Sequence, residues 1–512
     1  MAEQLLTSSI AAPGFMGVNT QDSSVSLESG YATQASNCII DKFGRIGARK
    51  GWLPKHSTNA DLSTANVKAI GELIAADGTS YTIAAGNNYI FKLNGSTLTK
   101  LTYGGGGSAP TISDSNWQMA PLNGVLYLYQ TGHDPLVFDP AVSTTTFKRV
   151  SEKTGYLGTV QQSNCVVSAY GRTWSASTDT DKNTVQFSDL LAGHVLNTGS
   201  SGTLNVSQVW PSGADEIQGL AAHNNYLYIF GRRQILIYQG ANDPTNMSLA
   251  DTVGGIGCCA RDSIKVTGDD IIFLSDTGVI SMKRVVQERS APLRDISANV
   301  RDDLVSAINI ETLSNIKAGY SSANAFYVLT LPVTGITYCF DLRSTLPNGA
   351  ARATTWTLVP TAMFSNRAKE FLIGTAGYVG YYTGHLDNTS TYRMAYYTNY
   401  FDLGSPNAIK ILKKISFTII GGNGADVILK YGFDYSTNYN SQFLQLGDLN
   451  PAEYGVAEYN IGEYTAGAVF DNQKVQVGGS GNILQLGIEA IISDFELSIQ
   501  KLDVFCKAGR TR

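Results

Sequence analysis

A short hairpin unit returns along most of this chain at intervals of about 45 to 55 residues, and no other feature restricts the fold as much. It shows first at residues 78–83 and 89–93, joined through Gly86-Asn87-Asn88. It returns at 123–129 with 136–139, and at 170–174 with 184–189. The clearest copy is 225–230, a turn at Gly231-Arg232-Arg233, then 235–238. Further copies fall at 270–275 with 277–280, at 325–329 with 336–340, and at 371–374 with 378–382. In the first run polar and apolar residues alternate, and most of the others are short apolar and aromatic runs bounded by turn residues, both of which mark strands. One such hairpin cannot bury its apolar face alone. Radial stacking gives each face a neighbour and leaves only short edges open. The expected fold is therefore all-β: a β-propeller of six or seven blades, since this period suits a four-stranded blade.

Three regions separate by texture. Residues 1–65 are polar and glycine-rich and read as a strand-turn-strand segment packed with a platform. Residues 66–395 carry the repeats and read as the propeller. In 396–512 the strands lengthen, as at 409–420, 426–431, 483–492 and 495–505, and read as a smaller β-sandwich platform. One stretch, 297–310, has helical spacing, with apolar positions at Val300, Leu304, Val305 and Ile308.

Composition narrows the function classes. Hydrophobic residues make up 43% of the 512 and charged residues only 15%. A core is assured, while so few charges suggest a surface largely covered by partners. A net charge of −5 argues against a basic grip on nucleic acid over the whole molecule. It leaves room for a passive channel whose neutral or acidic wall would not hold DNA. The six cysteines, at 38, 165, 258, 259, 339 and 506, lack metal-ligand spacing and read as buried free thiols of a reducing cytoplasm. No signal-peptide pattern or membrane-spanning apolar run is visible.

Catalytic patterns find little support. Histidines at 56, 133, 194, 223 and 385 are scattered without the spacing of a metal site. The glycine run 104–107 is not followed by the Lys-Ser/Thr of a phosphate loop. Ser275-Asp276-Thr277-Gly278 reads as a hairpin turn whose aspartate caps its own backbone. No enzyme activity, cofactor or metal is expected. Concentrated basic spots are few: Arg232-Arg233, Lys413-Lys414, and the tail from Lys507 through Arg510 to Arg512. These are candidate contact sites, read first as solvated turns or interface rims.

The N-terminal segment carries a resemblance. Pro13-Gly14-Phe15-x-Gly17-x-Asn19 is followed by Asn37-x-x-x-Asp41-x-x-Gly44-Arg45-x-x-x-Arg49-x-Gly51. This is similar to the opening of the tail nozzle proteins (also called tail tubular or packaged-DNA stabilisation proteins) of short-tailed bacteriophages. The 170–174 and 187–189 blade resembles theirs as well, and the Glu-Tyr motif at 452–459 does so more loosely. The close match covers about 45 residues, and a weaker likeness runs over most of the chain. The resemblance implies a structural subunit of the virion tail, made in the host cytoplasm. Its implied partners are five further copies in a homohexamer, a dodecameric tail adaptor above, a tail fibre or needle, and double-stranded DNA passing through the lumen unread. Packaged DNA would be retained and later released. A rival class is a carbohydrate-binding or carbohydrate-cleaving propeller for receptor recognition, which would need acidic and aromatic residues converging on one propeller face.

Overall fold

The hairpins picked out in the sequence are, in all but the three-stranded fifth blade, the middle strands of radially packed sheets in the computed structural model, which describes residues 5–511 apart from 25, 115, 284–294, 405–406, 423 and 448–469. At the best-marked copy, Ile217–His223, Tyr226–Gly231, Gln234–Gln239 and Ser248–Gly254 pair side by side in chain order. Asn224 and Asn225 make the first turn with φ of 49° and 66°, a left-handed conformation that asparagine tolerates better than branched residues do. Residues two apart then share a face. Leu227 and Ile229 enter the core against the preceding blade, while Tyr228 and Phe230 enter the core against the following one. The rings of Phe230 and Phe273 meet there at 5.0 Å between centroids. A blade is thus buried on both faces by its neighbours, which a lone hairpin could not achieve.

Six sheets stand as separate blades, spanning 67–100, 102–149, 165–205, 217–254, 265–281 and 362–382. The last is completed by Trp52–Pro54, which pairs with Tyr378–Tyr382 as its outer strand. A further four-stranded unit, 317–356, fills the place in the ring between the fifth blade and the last, and it is shared with the platform. The innermost strands of all these units follow one another round a closed circle. Closure rests on Leu62, Val67 and Ile70 of the first blade region against Ala362, Leu372 and Val379 of the last.

The platform is a β-sandwich. One sheet orders Phe470–Gln476, Ala408–Gly421, Leu497–Thr511, Ile46–Ala48 and Cys38–Ile40, with Leu5–Ala11 also paired to Leu497–Thr511. The other runs on from the shared blade through Tyr31–Ser36, Tyr392–Thr398, Leu484–Ile492, Asp426–Phe433 and Asn440–Gln445. Ile415, Phe417, Ile419, Leu429, Leu486, Ile488, Leu502 and Val504 meet between the sheets. The strands of residues 5–48 therefore lie in the platform, whereas Trp52–Pro54 belongs to the propeller. Arg301–Ile308 is helical after a short turn at Ala298–Val300, and it buries Val300, Leu304 and Ile308 while Val305 stays half-buried. Among the described residues no helix is long and apolar enough to cross a membrane. All six cysteines are buried and unbridged.

Burial fixes the charge state of several histidines. His56 is 3% exposed; its Nδ1–H donates to the Ser57 carbonyl at 2.6 Å, and its Nε2 accepts the Val379 N–H at 3.0 Å. Burial pushes its pKa below 6.5, and the Ser57 contact opposes that only in part. The unfolded ring takes a proton more readily, so this contribution is present above pH 6.5 and is lost as pH falls through the lower folded value. The melting temperature should decline as pH is lowered from 6.5. In His56→Gln the decline should shrink without vanishing, because burial depresses His194 and His385 as well. An unchanged pH profile in that variant would remove His56 from the account.

Candidate functional site: the signature joint and the propeller hub

Of the ten signature residues of the N-terminal segment, Asn37, Arg49 and Gly51 bond where the platform meets the propeller, and the others shape the platform strands and turns around it. Asp41 organises the tip of a hairpin. Its Oδ1 accepts the N–H groups of Phe43 and Arg45 at 2.8 and 3.0 Å, and its Oδ2 accepts Arg45 Nε at 2.6 Å. The Arg45 guanidinium lies over the Phe43 ring. Gly44 has φ of 74°, and a Cβ there would fall 2.5 Å from Cβ of Pro13, so the hairpin tip and the Pro13 turn pack without room for a side chain. Gly14 N–H closes that turn on the Ala11 carbonyl at 2.7 Å. Gly17 pairs with Tyr31, and Asn19 accepts the N–H groups of Gln21 and Asp22 at 3.0 and 3.1 Å.

Arg49 is the centre of the joint. It is fully buried and forks onto Asp387, with Nη1–Oδ1 2.7 Å and Nη2–Oδ2 2.6 Å. Its Nε donates to Asn37 Oδ1 at 2.9 Å, its Nη1 to the Lys50 carbonyl at 2.9 Å, and its plane lies 4.1 Å from the Tyr392 ring centre. Asn37 also donates to the Arg393 carbonyl at 2.8 Å and accepts the Thr357 N–H at 2.9 Å. Gly51 donates to the Gly384 carbonyl at 3.0 Å and leads into the strand that completes the last blade. One cluster therefore links the platform, the shared blade and the last blade. Asp387 and Tyr392 had no mark in the sequence, since 338 positions separate Arg49 from Asp387.

The basic spots do not come together as one surface. Arg232 donates to Asp276 at 2.6 Å and to the Cys259 carbonyl at 3.1 Å, while Arg233 is exposed. This corrects the reading of Asp276 as a cap on its own turn. A guanidinium from the adjacent blade lies within reach and makes the stronger, charge-assisted bond. Lys413 is exposed, and Lys414 Nζ sits 4.4 Å from the Phe505 ring centre on the platform. Arg512, the Arg510 side chain and the Glu-Tyr motif at 452–459 lie outside the described residues.

A second cluster lies at the propeller hub, where the inner strands converge. Asp262 stands in the turn Arg261–Ser263, ahead of the fifth blade's first strand. Arg261 holds it on one side, with Nε–Oδ1 2.8 Å and Nη2–Oδ2 3.1 Å, and Lys317 Nζ bonds Oδ2 from the other. Lys317 Nζ also donates to Asn116 Oδ1, and Asn116 Nδ2 donates to the Ser314 carbonyl. Arg261 is itself anchored on Asn164 Oδ1 at 3.0 Å. Lys265 lines the same cleft without a hydrogen bond or ion pair among the described residues. Burial alone would raise the Asp262 carboxyl, but the Arg261 and Lys317 charges outweigh it and hold the group well below the usual carboxylate range. Burial pushes the Lys317 ammonium down to about 8 despite the opposing pull of Asp262. Among the described residues no group of three or more His, Cys, Asp or Glu side chains is placed to hold a metal ion.

No family model matches the chain, and no curated protein matches it. Several solved structures resemble it at low identity and low TM-score. PorZ, a surface component of the type-IX secretion system of Porphyromonas gingivalis, is 10% identical over 64% of this chain and 37% of that one, with a TM-score of 0.35. YCF48 from Cyanidioschyzon merolae is 9% identical over 65% of this chain and 99% of that one, with a TM-score of 0.36. The Pan2 WD40 domain of Neurospora crassa is 11% identical over 74% and 95%, with a TM-score of 0.28. The chain spans 37% of the length of PorZ and 41% of an extracellular two-component-system domain from B. thetaiotaomicron. From its own strand order, the chain is a β-propeller carrying a β-sandwich platform.

Proposed function

We propose that this chain is a tail nozzle subunit of a short-tailed bacteriophage, six copies of which form a ring below the tail adaptor and continue its DNA channel. The observation that carries this reading is the joint. Within the segment that resembles the nozzle opening, Asn37, Arg49 and Gly51 weld platform to propeller, and the Asp41 hairpin is the platform element between them. A ring that retains packaged DNA and later releases it must transmit load between its two bodies without yielding. Buried, bidentate and stacked contacts resist such load better than an exposed linker would. A lumen that passes DNA unread needs no concentrated cations, and Arg232 is already committed to Asp276.

Mass photometry and negative-stain imaging test the reading, on the purified chain alone and mixed with the adaptor encoded beside it. A six-fold ring that caps the adaptor is the expected result. A monomer that ignores the adaptor overturns it, and binding on a glycan array would then favour a receptor-recognition propeller.

A further inference from the structure

The hub places a primary amine, a carboxamide and a carboxylate in one hydrogen-bonded chain inside the protein. Lys317 Nζ touches both Asn116 Oδ1 and Asp262 Oδ2. Lys317 is 7% exposed and Asp262 is buried to a similar degree at its side chain. These are the parts needed for acyl transfer from an amide to an amine. We propose that Lys317 and Asn116 become joined by an isopeptide bond across the propeller hub, with Asp262 holding the amine against the carboxamide.

The step balances without an oxidant or co-reactant. The neutral share of Lys317 has given its ammonium proton to solvent, which frees the Nζ lone pair while Asp262 accepts a remaining N–H and aims it. That pair attacks Asn116 Cγ, and the carbonyl π electrons move onto Oδ1. As they return, the Cγ–Nδ2 bond breaks and takes its electron pair with the nitrogen. The second proton lost by Nζ passes to Nδ2 and solvent returns the first, so the nitrogen leaves as ammonium. A Cγ–Nζ amide remains, and Asp262 stays a carboxylate throughout.

Three features of the hub favour this outcome over a lasting ion pair. The amine has a depressed proton affinity, so a useful fraction is neutral near pH 8. The Lys265 ammonium in the same cleft adds to that effect, since like charges disfavour one another's protonated form. The carboxamide is already oriented, because its Nδ2 is tied to the Ser314 carbonyl while Oδ1 faces the amine. Arg261, fixed on Asn164, holds the carboxylate in place between donor and acceptor. Reactants held in this way need no further loss of freedom to reach one another. The bond would close a loop spanning 201 positions and tie the second blade to the shared blade across the ring. This inference does not rest on the nozzle reading.

Intact-mass measurement of the purified full-length protein, followed by peptide mapping, decides it. The expected result is a loss equal to one ammonia, a branched peptide joining the Asn116 and Lys317 side chains, and no tryptic cleavage after Lys317. Asn116→Ala, which removes the electrophile and keeps the charges, should show the full mass of its own sequence. Two linear peptides at full mass would overturn the proposal. So would an ammonia loss confined to the Asn116 peptide, which marks cyclisation onto its own backbone. The decisive reading is made on the unaltered chain, so a variant that fails to fold does not affect it.

Discussion

Arg49→Ala is expected to destabilise the protein by about 3–5 kcal/mol, the cost of removing one partner from a buried ion pair. The wild-type guanidinium is fully buried and four of its five N–H groups are bonded: two to Asp387, one to Asn37 and one to the Lys50 carbonyl. Truncation leaves Asn37 short of a donor and the Asp387 carboxylate facing an empty space. It also removes the plane stacked on Tyr392, whose hydroxyl donates to the Arg49 carbonyl. Arg49→Lys should recover only part of the loss, because an ammonium cannot make the parallel pair of bonds to a carboxylate. Urea unfolding followed by tryptophan fluorescence suits the test, since Trp52 and Trp356 both lie close to the joint in one aromatic cluster. A midpoint for Arg49→Ala equal to that of the wild type would show that the two bodies are held together elsewhere.

The blades were legible because their information is local. Tyr226–Gly231 and Gln234–Gln239 are adjacent in sequence, are short apolar and aromatic runs of strand length, and are separated by a tight turn. The same holds for Phe371–Thr375 with Tyr378–Tyr382. The division of 5–48 from 52–54 was not legible. Strand period says that a run is a strand and says nothing about which distant strand it will join. The joint was half visible. Asn37, Asp41, Gly44, Arg45 and Arg49 stand in a recognisable spacing, while Asp387 and Tyr392 lie in runs with no distinguishing pattern. The hub was invisible for the same reason, its three reacting groups coming from the second, fifth and shared blades. Asp276 was misread because a turn aspartate next to Thr-Gly is an ordinary local cap, and only the adjacent blade brings Arg232 to it.

Gly51→Ala should destabilise the chain by about 3 kcal/mol or more, although it adds one methyl group. The added Cβ would fall 1.9 Å from the Leu386 carbonyl oxygen, 2.3 Å from its carbon and 2.7 Å from its nitrogen. None of these is the end of a flexible side chain, so two backbone segments must separate. Three hydrogen bonds hold those segments together: Gly51 N to the Gly384 carbonyl at 3.0 Å, Trp52 N to the Leu386 carbonyl at 2.9 Å, and Thr383 N to the Gly51 carbonyl at 3.0 Å. At about 1 kcal/mol each, their loss alone accounts for the estimate. Gly268→Ala is the matched control, because no atom lies within 4 Å of its added Cβ, and it should stay within about 0.5 kcal/mol of the wild type. Amide hydrogen exchange locates the damage. In Gly51→Ala, faster exchange should appear at Trp52–Pro54 and Tyr378–Tyr382, where the outer strand completes the last blade. Arg49 lies two residues away and grips the same 384–387 loop, so Arg49→Ala combined with Gly51→Ala should cost less than the two changes added together. Simple additivity would mean that the weld and the ring closure are separate devices. A shortfall would mean that the chain closes its propeller and fixes its platform in one cooperative step, through a single stretch of backbone.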